Sequence, residues 1–237
     1  MDDFHDKRIL VMGGSAGIGL ATAALAGARG AQVTIASRSA DRLAAARARH
    51  PAIAQCACVD LTDAPAVERF FLAHEDWDHV VVAGSQTRSD TVRALPLEDA
   101  RAAMQSKFWG AYHVARACRI RAQGSLTLVS GVFSVRPNRD AVLQGAINAA
   151  LEGLMRGLAL ELAPVRVNAV SPSVVDTPLW QKLDPGARQH KFDAYAARVP
   201  VRRIGRPEEV AHAILSLAGN PYITGATLLV DGGDAVA

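Results

Sequence analysis

An apolar run ending at Met12 leads directly into Gly13-Gly14-Ser15-Ala16-Gly17-Ile18-Gly19, and an Ala-rich stretch follows. Glycines at a strand-to-helix junction permit a tight turn and close approach of a pyrophosphate. The helix start adds free N–H groups and a favourable dipole. Its place at the first such junction of an alternating chain makes this a dinucleotide site rather than a chance glycine cluster. A second run, QVTIAS, ends in Ser37 and is followed by Arg38. A carboxylate there would bond a ribose diol and repel a 2′-phosphate. A guanidinium instead grips the phosphate in bidentate fashion, and the serine hydroxyl adds a bond. The pair predicts NADP(H), with NAD(H) the disfavoured alternative.

These residues need rigid elements to hold them. Short β-rich runs alternate with helical patterns throughout. Strands are expected over residues 7–12, 32–37, 53–59, 79–83, 126–130, 165–170 and 227–230, and helices over 17–29, 41–50, 65–74, 96–122, 140–163 and 207–218. Continuous apolar strands such as HVVVA and LTLVS imply burial on both faces. The expected fold is therefore α/β, a doubly wound parallel sheet of seven strands (a Rossmann fold). With no repeat or linker, residues 1–237 read as one domain. Residues 178–206 are the least regular, with Pro185, Gly186, Pro200 and Gly205, and read either as a substrate lid or as an ordinary surface excursion.

Composition narrows the function. Half the residues are hydrophobic and 5% aromatic, a balance suited to an aliphatic core between helices and sheet. The net charge is only +3 despite a pI near 9.0. Arginines spread along the chain read as solvated helix faces, and no basic–aromatic stripe points to nucleic acid. Cys56 and Cys58 fall on one face of an expected strand. With Cys118 they read as buried, reduced thiols, and no second pair completes a metal site. The polar opening MDDFHDK argues against a secretory leader, and no apolar run reaches membrane-spanning length, so a cytoplasmic protein is expected.

The spacing Gly-x-x-x-Gly-x-Gly resembles the nucleotide loop of the short-chain dehydrogenase/reductases, with Met12 where that family commonly has Thr. The resemblance runs almost the full length. Asp60 in VDLTD matches an acidic residue that contacts adenine. Ala83-Gly84 matches half of an Asn-Asn-Ala-Gly segment whose asparagines are here Val81 and Val82. ALELAPVRVNAVSP (159–172), Asp176-Thr177-Pro178 and the tail from RIGRPEEV to VDGG are similar to the family's passages. It implies a cofactor set of Gly13, Ser15, Gly17, Ile18, Gly19, Ser37, Arg38, Asp60, Leu61, Ala83, Gly84, Asn148, Pro172, Val175 and Thr177. It also implies a homo-oligomer, dimer or tetramer, with Trp109, Tyr112 and His113 as interface residues and Gly153 and Gly157 permitting close helix approach.

The resemblance fails where the family does its proton chemistry. Its tyrosine and lysine, four residues apart on one helix, align with Gln144 and Asn148. Its serine aligns with Gly131, beside Ser130, and its asparagine with Lys107. A glutamine amide is no general acid, although it still donates a hydrogen bond. Lysine and asparagine have in effect exchanged places. Lys107 is thus expected to project into the site, restore positive charge near the nicotinamide ribose and, partly desolvated, act as proton donor. Ser130 is a weaker candidate, since strand alternation turns it away from Gly131. Three functions fit. They are an NADP(H)-dependent oxidoreductase acting on a small-molecule carbonyl or alcohol, a catalytically silent NADP(H)-binding protein or oligomer partner, and another reaction such as isomerisation in the retained pocket.

Overall fold

Strands too apolar to leave either face in water must be covered on both sides. The computed structural model describes residues 4–237, so part of the polar opening MDDFHDK lies outside the described residues. Seven strands, β1 (Arg8–Met12), β2 (Gln32–Ser37), β3 (Ile53–Cys58), β4 (Trp77–Val82), β5 (Ile120–Val129), β6 (Arg166–Pro172) and β7 (Thr227–Val230), form one parallel sheet. Their order is β3-β2-β1-β4-β5-β6-β7. The helices are α1 (Gly17–Ala28), α2 (Ala40–Arg49), α3 (Ala64–Leu72), α4 (Leu97–Met104), α5 (Gly110–Ala117), α6 (Val142–Glu161), α7 (Pro185–Arg198) and α8 (Pro207–Gly219).

Alternation along the strands sorts the core into two layers. Leu10, Met12, Val80, Val82, Leu126 and Leu128 pack with Phe71 of α3, Val114 of α5 and Met155 of α6. Ile9, Val11, Val33, Ile35 and Val81 face the other way, toward Ala23 and Ala26 of α1, Leu43 of α2 and Ile214 of α8. Each fully buried Leu or Ile contributes about 1.5–3 kcal/mol, so the sheet is held rigidly from both sides. Strand order runs outward in opposite directions from the β1–β4 pair, which opens a crevice beyond the strands' C-terminal ends.

Five expectations need correction. The helix expected over 96–122 ends at Ala117 and is interrupted by a wide π-helical turn, Gln105–Trp109, closed by the Gly110 N–H on the Gln105 carbonyl. β5 begins at Ile120 because that residue pairs with Trp77 of β4; an exposed bulge follows, and regular pairing resumes at Ser125. Cys56 and Cys58 are exposed, not buried, because β3 is the sheet edge. The segment 178–206 is largely ordered helix. It holds a 3₁₀ turn, Pro178–Lys182, and α7, whose start is capped by Asp184 accepting from Gly186 N (2.8 Å) and Ala187 N (3.2 Å). Arg166 also departs from the expectation of solvated arginines. It is buried and donates to the carbonyls of Leu217 (2.7 Å) and Ala218 (2.5 Å), satisfying the end of α8. No helix among the described residues is long and apolar enough to cross a membrane.

His79 of β4 is buried, with Nδ1 2.9 Å from Ser125 Oγ and Phe4 edge-on at 5.6 Å. Burial first, and the Arg166 guanidinium second, push its pKa down to about 4 from 6.5. The folded state keeps this imidazole neutral, while the unfolded chain binds a proton near 6.5. Its contribution to stability is therefore complete above that pH and is lost as pH falls toward 4. Urea unfolding at pH 5 is expected to give about 2 kcal/mol less stability than at pH 7, a difference that shrinks in His79→Phe. An equal pH difference in the variant would contradict this assignment.

Candidate functional site

The turn between β1 and α1 is built backbone on backbone. Gly13 has φ +83°, and a Cβ there would lie 2.3 Å from Gly84 Cα. A Cβ on Gly19 would lie 2.3 Å from the Gly13 carbonyl oxygen. Ala83 and Gly84 donate their N–H groups to Met12 O (2.9 and 3.1 Å), locking the ends of β1 and β4 together. Ala16, the residue before α1, makes no side-chain cap, and the first turn carries no acidic residue. The leading N–H groups of α1 thus keep their capacity for an anion. Ser15 is buried in the turn, and Ile18 packs against the core beneath it. Thr177 closes over the loop, its Cγ2 3.3 Å from where a Gly17 Cβ would stand.

At the far end of the crevice, Ser37 Oγ is buried without a partner, and the neighbouring Arg38 is exposed, donating to Gln86 Oε1 at 2.5 Å. Asp60 accepts from Thr62 N and Thr62 Oγ1, both at 2.9 Å, which fixes its carboxylate at the end of β3. Leu61 packs against Gly84, and its carbonyl lies 2.8 Å from His113 Nδ1. Pro172 ends β6, and the buried Val175 bridges to Gly205. An orphaned hydroxyl beside a guanidinium and a cradle that any Cβ would fill fit a phosphorylated dinucleotide. Among the described residues no group of three or more His, Cys, Asp and Glu is placed to hold a metal.

The other predicted site residues meet between β5, α6 and the π-helical turn. Lys107 is buried, and its Nζ donates to Asn148 Oδ1 (2.7 Å) and to the Ser130 carbonyl (2.9 Å). Burial pushes its pKa down to about 8 from 10.5, with the Glu152 carboxylate opposing. Asn148 is the hub. Its Oδ1 also accepts from Gln144 Nε2 (3.1 Å), and its Nδ2 donates to Gly131 O (3.0 Å). The Gln144 Oε1 is buried without a partner. Gly131 is extended, so its backbone does not demand glycine; space does. A Cβ there would lie 2.7 Å from Asn148 Nδ2. Glycine at 131 and asparagine at 148 are therefore sterically matched.

Ser130 does not fill the missing hydroxyl's place. Its Oγ is committed to Glu152 Oε1 at 2.7 Å on the α6 side, as its strand position dictates. Glu152 escaped the sequence reading. It is buried, lies one turn beyond Asn148 on the same face of α6, and also accepts from Ser134 Oγ at 2.6 Å. The four-residue spacing 144, 148, 152 was the available signal. Trp109 and Tyr112 pack edge-to-face at 5.4 Å and stay exposed, and nothing lies within 4 Å of a Cβ at Gly153 or Gly157.

The fold and site define a dinucleotide-binding α/β protein with its crevice at the β1–β4 switch. The family model described as enoyl-(acyl carrier protein) reductase matches residues 13–234. The short-chain dehydrogenase/reductase malC of Malbranchea aurantiaca is 31% identical over 252 residues, covering 98% of this chain and 96% of its own. A glucose 1-dehydrogenase of Gluconobacter oxydans is 34% identical over 253 residues, covering 98% and 93%. A solved small-chain dehydrogenase in complex with NADPH superposes with a TM-score of 0.85 at 31% identity, covering 98% and 100%. The chain belongs to the short-chain dehydrogenase/reductase family.

The Gly131–Asn148 match is testable by a double-mutant cycle. Gly131→Ser alone is expected to destabilise by about 1–3 kcal/mol through overpacking, and less when combined with Asn148→Ala, which clears the space. Additive effects in thermal unfolding would contradict the match.

Proposed function

We propose that this protein is an NADP(H)-dependent oxidoreductase that interconverts a carbonyl and an alcohol on a small-molecule substrate, with Lys107 carrying the proton. The observation that bears most of the weight is the buried ammonium held by Asn148 and Ser130 at 2.7 and 2.9 Å. An ammonium has three N–H donors, and these bonds take two. The third is left for an oxygen in the crevice. A bound dinucleotide supplies only the hydride. In reduction, Lys107 gives its proton to the substrate oxygen as the carbonyl carbon gains that hydride, and the neutral amine is then reprotonated from solvent. In oxidation, the neutral amine takes the hydroxyl proton. Asn148 aims the lysine, and Gln144, whose amide already donates to Asn148, has a second N–H with which to orient the substrate oxygen.

The phosphorylated cofactor is supported by Ser37 and Arg38 and by the NADPH complex of the solved relative. The exposed Trp109 and Tyr112 and the uncovered Gly153 and Gly157 support a homo-oligomer through the α5 and α6 faces. One observation favours a silent NADP(H)-binding protein instead, namely that an amide stands at the position where the family keeps its tyrosine.

Turnover separates these readings. Oxidation of NADPH over a carbonyl panel is expected to be fastest below about pH 8, where Lys107 is charged, and to fall above it. Alcohol oxidation should rise through the same pH. Lys107→Met is expected to lower turnover by about 10²–10⁴-fold. Saturable NADPH binding with no turnover on any carbonyl would favour the silent reading, and unchanged turnover in Lys107→Met would remove the lysine from the chemistry. For the cofactor, Arg38→Leu is expected to weaken NADPH binding by about 10–100-fold, one charge-assisted contact, and to leave NADH binding unaltered. Equal losses for both nucleotides would contradict the phosphate role.

A further inference from the structure

Three positions one helical turn apart on α6 line a single stripe: Gln144, Asn148 and Glu152. The first two are amides, already placed around Lys107. The third is a buried carboxylate that makes no direct ion pair with the lysine. Instead, Glu152 Oε1 accepts from Ser130 Oγ (2.7 Å) and Ser134 Oγ (2.6 Å), at the two ends of the turn that follows β5. Ser130 joins the two charges. Its carbonyl accepts from Lys107, and its hydroxyl donates to Glu152. Of the groups around Lys107, Ser130 just beyond β5 and Gln144 and Asn148 on α6 carry no charge, and among the described residues Glu152 is the charged group that acts on it.

We propose that Glu152 is a positioning residue for proton transfer, the buried countercharge that keeps Lys107 protonated through the Ser130–Ser134 turn. This rests on the reading of Lys107 as the proton carrier. Removing an ammonium from water is costly unless an opposite charge accompanies it. Two neutral acceptors take two of its hydrogen bonds but do not supply that charge. A carboxylate in direct contact would hold the proton too firmly to release it. One placed behind a serine favours the charged lysine at a distance and leaves the remaining N–H unclaimed. The same carboxylate secures the end of the 3₁₀ turn Val132–Ser134, so the wall beside the crevice and the charge of the proton carrier depend on one side chain.

The test reads Lys107 directly. Protein labelled with ¹³C-lysine is titrated by NMR, with Lys7, Lys182 and Lys191 as internal references and Lys107→Met assigning the signal. Glu152→Gln, which retains an acceptor for both serines, is expected to lower the Lys107 midpoint by at least about one pH unit, a tenfold change in acidity. Glu152→Leu is a second neutral variant with the same expected fall, should the amide form not fold. Glu152→Asp, which keeps the charge, and Ser134→Ala, which loosens the turn but keeps the charge, are expected to stay within about half a unit of the parent. In active protein, the alkaline limb of carbonyl reduction should move with the midpoint. A midpoint unmoved by the neutral variants, or moved as far by Ser134→Ala, overturns the proposal. Because the titration needs no turnover, an inactive protein with the expected shifts would sink the oxidoreductase reading and spare the Lys107–Glu152 coupling.

Discussion

The site depends on the cost of burying a positive charge. An ammonium removed from water survives only where acceptors surround it and an opposite charge lies within reach. Lys107 meets both conditions through one side of α6 and the end of β5, with Asn148 and the Ser130 carbonyl as direct acceptors and Glu152 behind them. Each partner constrains another. The Asn148 amide that receives Lys107 fills the volume a serine would need at residue 131, so glycine stands there. The Ser130 hydroxyl donates to the carboxylate of Glu152. Residues 107, 131, 144 and 148 thus form one connected set in the structure.

The dinucleotide end follows a different constraint, steric where the other is electrostatic. Gly13, Gly19 and Gly84 touch through their backbones, and a Cβ at Gly13 or Gly19 would lie 2.3 Å from main-chain atoms. That closeness sets the β1–α1 turn at the height of the β4 end and leaves the uncapped N–H groups of α1 facing the crevice. The sheet's two aliphatic layers keep these turns in register. Thr177, leaning on the same loop from beyond β6, ties the segment leading to α7 to the cradle as well.

Much of this was legible in the residues because it rests on local rules. Glycine spacing at a strand–helix junction, the Ser37-Arg38 ending and strand–helix alternation each carry their own mechanism. Lys107 and Asn148, expected at one site from the motifs that flank them, do meet there. What escaped was set by tertiary context. Exposure of Cys56 and Cys58 depends on β3 being an edge, which strand order decides and local pattern does not. The early start of β5 is hidden because the pairing of Ile120 with Trp77 is separated from the regular ladder by an exposed bulge. α7 was overlooked although Asp184 and Pro185 are ordinary helix-starting signals, because the prolines and glycines around it read as loop. Glu152 was passed over because an acidic residue on a helix is usually solvated, and only the packing of the Ser130–Ser134 turn buries it.

The central claim, that the Lys107 ammonium stands where a proton is exchanged beside the nicotinamide, is tested most directly by a crystal structure of the NADPH complex. In that complex Lys107 Nζ is expected to stay bonded to Asn148 and to lie within about 3 Å of a nicotinamide-ribose hydroxyl or of an ordered water or substrate oxygen beside the ring. A complex in which Nζ is walled off from the nicotinamide pocket, with no oxygen of cofactor, water or substrate within reach, would contradict it.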